Sequence, residues 1–142
     1  MNAERRVTRV VDSLERPNGI LVSPTGRWLV VAEMDKREVH RFEIVAAGQV
    51  ADGRVIFVGD PEIDGAGPDG IAHDRHGNIY ATYQSLVVLR PDGTLIGRIA
   101  TPEKPTNGTF GGPGDRTLYI SAPTSVYTLD MKVAGLGLSA RE

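Results

Sequence analysis

Pro17-Asn18-Gly19-Ile20-Leu21-Val22-Ser23-Pro24-Thr25-Gly26-Arg27-Trp28-Leu29-Val30 opens on Asn-Gly and runs through a short apolar segment. It then turns at a polar, glycine-containing stretch and returns as a second apolar segment. The same layout recurs at Pro68-Asp69-Gly70-Ile71-Ala72-His73-Asp74-Arg75-His76-Gly77-Asn78-Ile79-Tyr80. It recurs again at Thr106-Asn107-Gly108-Thr109-Phe110-Gly111-Gly112, followed by Asp115-Arg116-Thr117-Leu118-Tyr119-Ile120. Short apolar runs bounded by Gly, Pro, Asn and Asp read as strands, and two of them joined by a polar turn read as a β-hairpin. A further strand follows each hairpin, at Val39–Ile44, Leu86–Arg90 and Ser125–Leu129. Two units add a fourth, at Val55–Val58 and Thr94–Ile99. Pro91-Asp92-Gly93 forms the turn into the last of these, combining a preset φ, a side chain that bonds its own backbone and a glycine.

The units therefore hold four, four and three strands, and one more strand is predicted at residues 7–12, centred on Val7–Val11. No segment sustains a helical period, because Gly or Pro interrupts every candidate window. Asn18 to Asp69 is 51 residues and Asp69 to Asn107 is 38, a repeat length that fits propeller blades. The expected fold class is thus all-β, a β-propeller of about three four-stranded blades near 19–58, 70–100 and 107–130. A β-sandwich would explain the alternation, but not the recurring Asn/Asp-Gly at one position of each unit.

Composition narrows the function. The chain has 142 residues, a length that suits one domain. Its net charge of −2 offers no field for nucleic acid or an anionic membrane surface. Arg5, Arg6 and Arg9 read as a small solvated basic start. With no cysteine, disulfides, thiolate zinc sites and Cys nucleophiles are excluded. The segment MNAERRVTRV lacks the apolar core of a signal peptide, and no apolar run approaches the ~20 residues of a membrane helix. A cytoplasmic location is the expectation.

Three groups of residues resemble the SMP-30/gluconolactonase family. They are Arg16-Pro17-Asn18-Gly19-Ile20 with Ser23-Pro24; Gly67-Pro68-Asp69-Gly70-Ile71 with Gly77-Asn78-Ile79-Tyr80; and Pro105-Thr106-Asn107 with Phe110-Gly111-Gly112 and Leu118-Tyr119. The elements are short, but their order and spacing match from about Val7 to Gly137. The resemblance implies the C-terminal half of a six-bladed propeller that hydrolyses lactones around a divalent cation in its central channel.

In a propeller, the side chain that starts each innermost strand points to the channel mouth, and Asn18, Asp69 and Asn107 hold that position. All three offer oxygen, the donor a hard cation prefers. The family resemblance makes Asn18 and Asp69 metal ligands, and Asp69 also the candidate general base. Asn107 matches no family ligand and is expected only to line the channel. Ca²⁺ is the expected ion, with Zn²⁺, Mn²⁺ and Mg²⁺ left open, and a small-molecule lactone is the expected substrate. As plain turn residues, Asn-Gly and Asp-Gly would need no function at all. The family's metal-ligating Glu near its N-terminus has no counterpart here; Glu4, Glu15 and Glu33 lie outside that context.

Other signals read as structural. Gly65-Ala66-Gly67-Pro68-Asp69-Gly70 fits G-x-G-x-x-G but precedes a strand rather than a helix. Asp60, Glu62 and Asp64 resemble the start of a calcium loop whose twelfth position is Ile71 rather than Glu, so a solvated acidic connection is expected. His40, His73 and His76 lack a second ligand at zinc spacing. No G-x-S-x-G element exists. Trp28, Phe110 and Tyr119 are expected to pack between blades.

Three blades cannot close a ring, since propellers use typically four to eight. A homodimer in which the strand at Val7–Val11 completes the partner's third blade would give six blades. A non-catalytic propeller fragment acting as a binding module is the alternative.

Overall fold

The computed structural model describes residues 7–137. The first blade is β1 (Pro17–Val22), β2 (Trp28–Glu33), β3 (Glu38–Ala46) and β4 (Gln49–Val58). The second is β5 (Ile71–His73), β6 (Ile79–Thr82), β7 (Leu86–Leu89) and β8 (Leu95–Ile99). The third has β9 (Asn107–Gly111), β10 (Thr117–Ser121) and β11 (Val126–Asp130), with a 3-10 turn at Pro113–Asp115 between the first two. Each sheet is an antiparallel meander in chain order. There is no α-helix among the described residues. This is the β-propeller architecture read from the repeats, with blades of four, four and three strands.

Burial shows how the blades stack. Every residue of β6 and β7 is buried, so the usual alternation of strand exposure vanishes there. Both faces of the second blade are covered, which demands apolar residues at consecutive positions, as in Leu86-Val87-Val88-Leu89. One face carries Ile79, Ala81, Val87 and Leu89 into a core shared with Val30, Ala32 and Val39 of the first blade. The other carries Tyr80, Leu86 and Val88 into a core shared with Leu118 and Ile120 of the third. In β10 and β11, which have one covered face, alternation returns.

Polar contacts tie the connections to these cores. Asp64 is fully buried, and its carboxylate accepts Arg98 Nε at 2.6 Å and Nη2 at 2.9 Å. The hydrogen bond from Arg98 holds the Asp64 carboxyl below the usual carboxylate range. The acidic connection is solvated at Asp60 and Glu62, as expected, but Asp64 within it is a buried anchor, because Arg98 on β8 supplies the compensating charge. Asp74 is also buried and organises the β5–β6 turn. It accepts the N–H groups of His76 and Asn78, the Asn78 side chain and the Tyr80 hydroxyl. Burial first, and the Asp74 charge second, push the Tyr80 phenol up.

Two expectations are corrected. Residues 7–14 form no strand; Val7 is 99% exposed, and none of the described strands pairs with this segment. Tyr119 does not lie between blades but on the free face of the third, because it alternates with the inward Leu118 and Ile120. Phe110 does pack between blades, edge-on to Tyr80 at 5.3 Å. Trp28 is half-buried with the Arg41 guanidinium 4.2 Å and that of Arg27 4.8 Å from its ring centre. Arg41 in turn donates to the Pro91 carbonyl of the second blade at 2.8 Å. Of the basic start, Arg9 is exposed beside Asp12, while Arg5 and Arg6 lie outside the described residues.

Glu103, in the connection to the third blade, accepts the Tyr127 hydroxyl at 2.7 Å and both the hydroxyl and N–H of Thr124. Hydrogen bonds from Ser125, Tyr127 and Thr124 hold its carboxyl down to about 2. A depressed carboxylate stabilises the fold above its ordinary pKa and loses that effect as pH falls through the folded value. The Tm advantage of the native chain over Glu103→Gln should therefore be full at neutral pH and shrink between about pH 4.5 and pH 2. Thermal melts across that range test this; parallel Tm profiles for the two proteins would refute it.

Candidate site at the mouth of the inner strands

β1, β5 and β9 are the strands through which successive blades meet, so they line the channel side. Their first residues are joined by backbone hydrogen bonds. Gly19 N–H donates to the Asp69 carbonyl at 2.8 Å, and Gly70 N–H donates to the Thr106 carbonyl at 2.8 Å. Asn18, Asp69 and Asn107 are each adjacent in sequence to one of these links. The tertiary structure thus brings the three residues singled out in the sequence to one end of the inner strands.

The glycines serve this approach. A Cβ on Gly19 would stand 2.6 Å from the Asp69 carbonyl oxygen and 2.8 Å from Ile71 N. A Cβ on Gly70 would stand 2.7 Å from the Thr106 carbonyl oxygen and run into Asn107 Oδ1. Neither glycine has a positive φ, so the sharp turn expected of Asn-Gly and Asp-Gly is not their reason. The third glycine differs. Gly108 meets nothing closer than 3.4 Å, and its N–H bonds the neighbouring Asn107 Oδ1 at 2.8 Å. Among the described residues no fourth blade stands there to receive it.

The three side chains differ in what they have free. Among the described residues, the Asn18 amide and the half-buried Asp69 carboxylate accept no hydrogen bond. Asn107 Oδ1 is engaged by Gly108 N–H at 2.8 Å. Beneath them, the buried Thr82 hydroxyl donates its one hydrogen to the Gly70 carbonyl at 2.9 Å, with the Thr106 carbonyl oxygen 3.2 Å away. Asp69 N–H donates to the Thr82 carbonyl at 3.0 Å, so Thr82 fixes the backbone that carries Asp69. Further along the same strands, a recess of ≈180 Å³ is lined by Leu21, Ile71, His73, Thr109, Phe110 and Leu136, among others.

Of the histidines, His73 borders that recess, with Nδ1 3.1 Å from the Asp74 carbonyl oxygen. His76 lies in the β5–β6 turn. His40 is not isolated: its Nε2 is 2.9 Å from both Glu33 Oε2 and Glu38 Oε2. The Glu38-x-His40 spacing is present in the sequence, but only the β2–β3 register sets it opposite Glu33.

The profile of the SMP-30/gluconolactonase/LRE-like region matches residues 1–124. The chain belongs to this family. It is 30% identical over 125 residues to pentonolactonase XacC of Haloferax volcanii, covering 85% of this chain and 43% of that protein. It is 26% identical over 143 residues to the gluconolactonase of Zymomonas mobilis, covering 95% of this chain and 40% of that one. Among solved structures, a gluconolactonase of Xanthomonas campestris superposes with a TM-score of 0.76 at 30% identity, over 86% of this chain and 39% of that one. A luciferin-regenerating enzyme shares the fold, with a TM-score of 0.79 at 21% identity. The chain thus spans about two fifths of the length of the curated family members it matches.

The Gly70 and Thr106 carbonyls each keep a backbone N–H donor when the Thr82 hydroxyl is removed. Thr82→Val should therefore lower stability by about 0.5–1.5 kcal/mol, the net worth of one hydrogen bond, read by chemical denaturation. Gly70→Ala should cost at least as much, by overpacking against backbone, whereas Gly108→Ala should cost less. Equal losses at Gly70 and Gly108 would contradict the close-approach argument.

Proposed function

We propose that this chain supplies the Asn18 and Asp69 portion of a metal-dependent site that hydrolyses a sugar-type lactone. The supporting observation is the junction itself. Two strand starts linked through Gly19 N–H and the Asp69 carbonyl carry side-chain oxygens with no other partner among the described residues. Membership in a family whose relatives include lactonases gives the reaction class.

Oxygen donors without a competing hydrogen bond suit a hard cation, and Ca²⁺ fits best. Asn18 would hold it through its amide oxygen and Asp69 through its carboxylate. Ca²⁺ takes 6–8 oxygens, so water, substrate and further protein groups must complete the shell. Bound there, the cation would polarise the lactone carbonyl and stabilise the oxyanion. Hydrolysis adds water to the carbonyl carbon and breaks the ring C–O bond. The ring oxygen takes up a proton, giving the hydroxy acid. Asp69 would accept the attacking water's proton on its carboxylate. The backbone bonds that hold Asp69 in place supply the preorganisation such a base needs.

The ring must be closed for the cation to be enclosed, and three blades span half of a six-bladed circle. We propose that a second copy of the chain closes it. Light scattering on a sizing column should give twice the mass of the chain; a monomer would refute that assembly. With the closed form in hand, Asp69→Ala should abolish Ca²⁺-dependent lactone hydrolysis, and Asn18→Ala should weaken it by roughly tenfold or more. A pH-stat assay reads both, and unchanged turnover in Asp69→Ala would sink the assignment.

A further inference from the structure

The β2–β3 hairpin carries a second cluster of metal-ligating groups. Register pairs Glu33 with Glu38 and Val31 with His40. Directly opposed residues share a sheet face, as do residues two apart on a strand. Glu33, Glu38 and His40 therefore project from one face of the first blade. The face opposite carries Val30, Ala32 and Val39 into the core shared with the second blade. One ligand atom from each of the three side chains lies within 4.8 Å of the others.

An independent observation marks the cluster as more than a meeting of charges. Glu33 is fully buried. Its Oε1 is engaged, accepting Glu15 N–H at 2.8 Å with Lys36 Nζ 3.7 Å away. Its Oε2 has no hydrogen-bond partner among the described residues, although it points at His40 Nε2 across 2.9 Å. An Nε2 carries a single hydrogen, and here Glu38 Oε2 receives it, also at 2.9 Å. One N–H cannot serve two carboxylates, and buried polar atoms are rarely left unpaired. A cation at this point satisfies both oxygens and the nitrogen together.

We propose that Glu33, Glu38 and His40 form a binding site for a divalent transition metal of the Zn²⁺ class. It shares no residue with the Asn18/Asp69 site. Glu33 and Glu38 ligate through Oε2, and His40 through Nε2 with its hydrogen on Nδ1. A mixed set of one imidazole and two carboxylates suits Zn²⁺ rather than Ca²⁺, which favours oxygen alone. Three protein ligands leave the fourth tetrahedral position to water. The side chains of Glu38 and His40 are 21% and 14% exposed, which gives the ion a path in. Glu15 N–H and Lys36 hold the second oxygen of Glu33, the outer support a ligating carboxylate needs. Bound metal would staple the β2–β3 turn, whose Arg37 carbonyl receives the Tyr83 hydroxyl of the second blade at 3.0 Å.

The test is calorimetric titration of the untagged, chelator-treated chain with Zn²⁺, alongside the visible absorption of Co²⁺ as a probe of four-coordinate N/O ligation. One Zn²⁺ should bind, and Co²⁺ should develop strong visible bands. Glu38→Gln and His40→Gln should each weaken binding by at least about tenfold. Asp69→Asn should leave it unchanged. Glu38→Gln is the key variant, since that side chain is partly exposed and its loss is compatible with folding, to be verified by circular dichroism. Zn²⁺ affinity unchanged in Glu38→Gln and His40→Gln, loss of binding in Asp69→Asn, or no Zn²⁺ uptake by the folded native chain would each overturn the proposal.

Discussion

The structure depends on how closely successive blades approach at the start of their innermost strands. The links from Gly19 N–H to the Asp69 carbonyl and from Gly70 N–H to the Thr106 carbonyl set that distance. A side chain at either glycine would force the blades apart, because the obstacles are backbone atoms that cannot rotate away. The interblade cores and the site both follow from this constraint. With the blades in contact, Val30 and Ala32 reach Ile79 and Ala81 on one side, and Tyr80 reaches Phe110 on the other. The same contact sets Asn18 and Asp69 beside one another.

Buried polar groups then lock the connections that propeller geometry leaves long. Asp64, Asp74 and Thr82 are all fully buried; Asp64 is satisfied by Arg98 on β8, Thr82 by the strand starts beside it, and Asp74 within its own β5–β6 turn. Such groups contribute little net stability compared with apolar residues of the same shape, but breaking one is costly. They specify which loop lies on which blade. Glu33 is the exception: it is equally buried, yet one of its oxygens is unsatisfied, and that asymmetry separates a structural carboxylate from a candidate ligand.

The free faces of both outer blades expose apolar residues: Ile20 and Val22 on the first, and Val126 beside Thr109, Tyr119 and Thr128 on the third. Gly108 N–H, which turns back to its own neighbour, marks where the ring would continue. An open arc thus carries the motif of the closed ring at each strand start, but only two of its interblade junctions.

Much of this was legible in the residues. Alternation, turn chemistry and the repeated Asn/Asp-Gly located ten of the eleven strands of the described residues to within a few positions, since strand pairing within a blade is local and hairpin turns encode it; of β4 they located only Val55–Val58 and missed its first six residues. The family motifs placed Asn18, Asp69 and Asn107 at equivalent positions for the same reason. Nonlocal contacts were not legible. Val7–Val11 has a strand-like composition, but a strand exists only beside an edge that bonds it. Asp64 reads as solvated until Arg98, distant in sequence, folds over it. The two glycines read as turn residues until the neighbouring blade occupies the space a side chain would need. His40 reads as isolated because the pairing of β2 with β3 alone sets it against Glu33. Local backbone chemistry was thus decided by the sequence, whereas burial, blade contact and the free oxygens of the sites were decided by tertiary structure, because each depends on atoms that meet only once the blades have stacked.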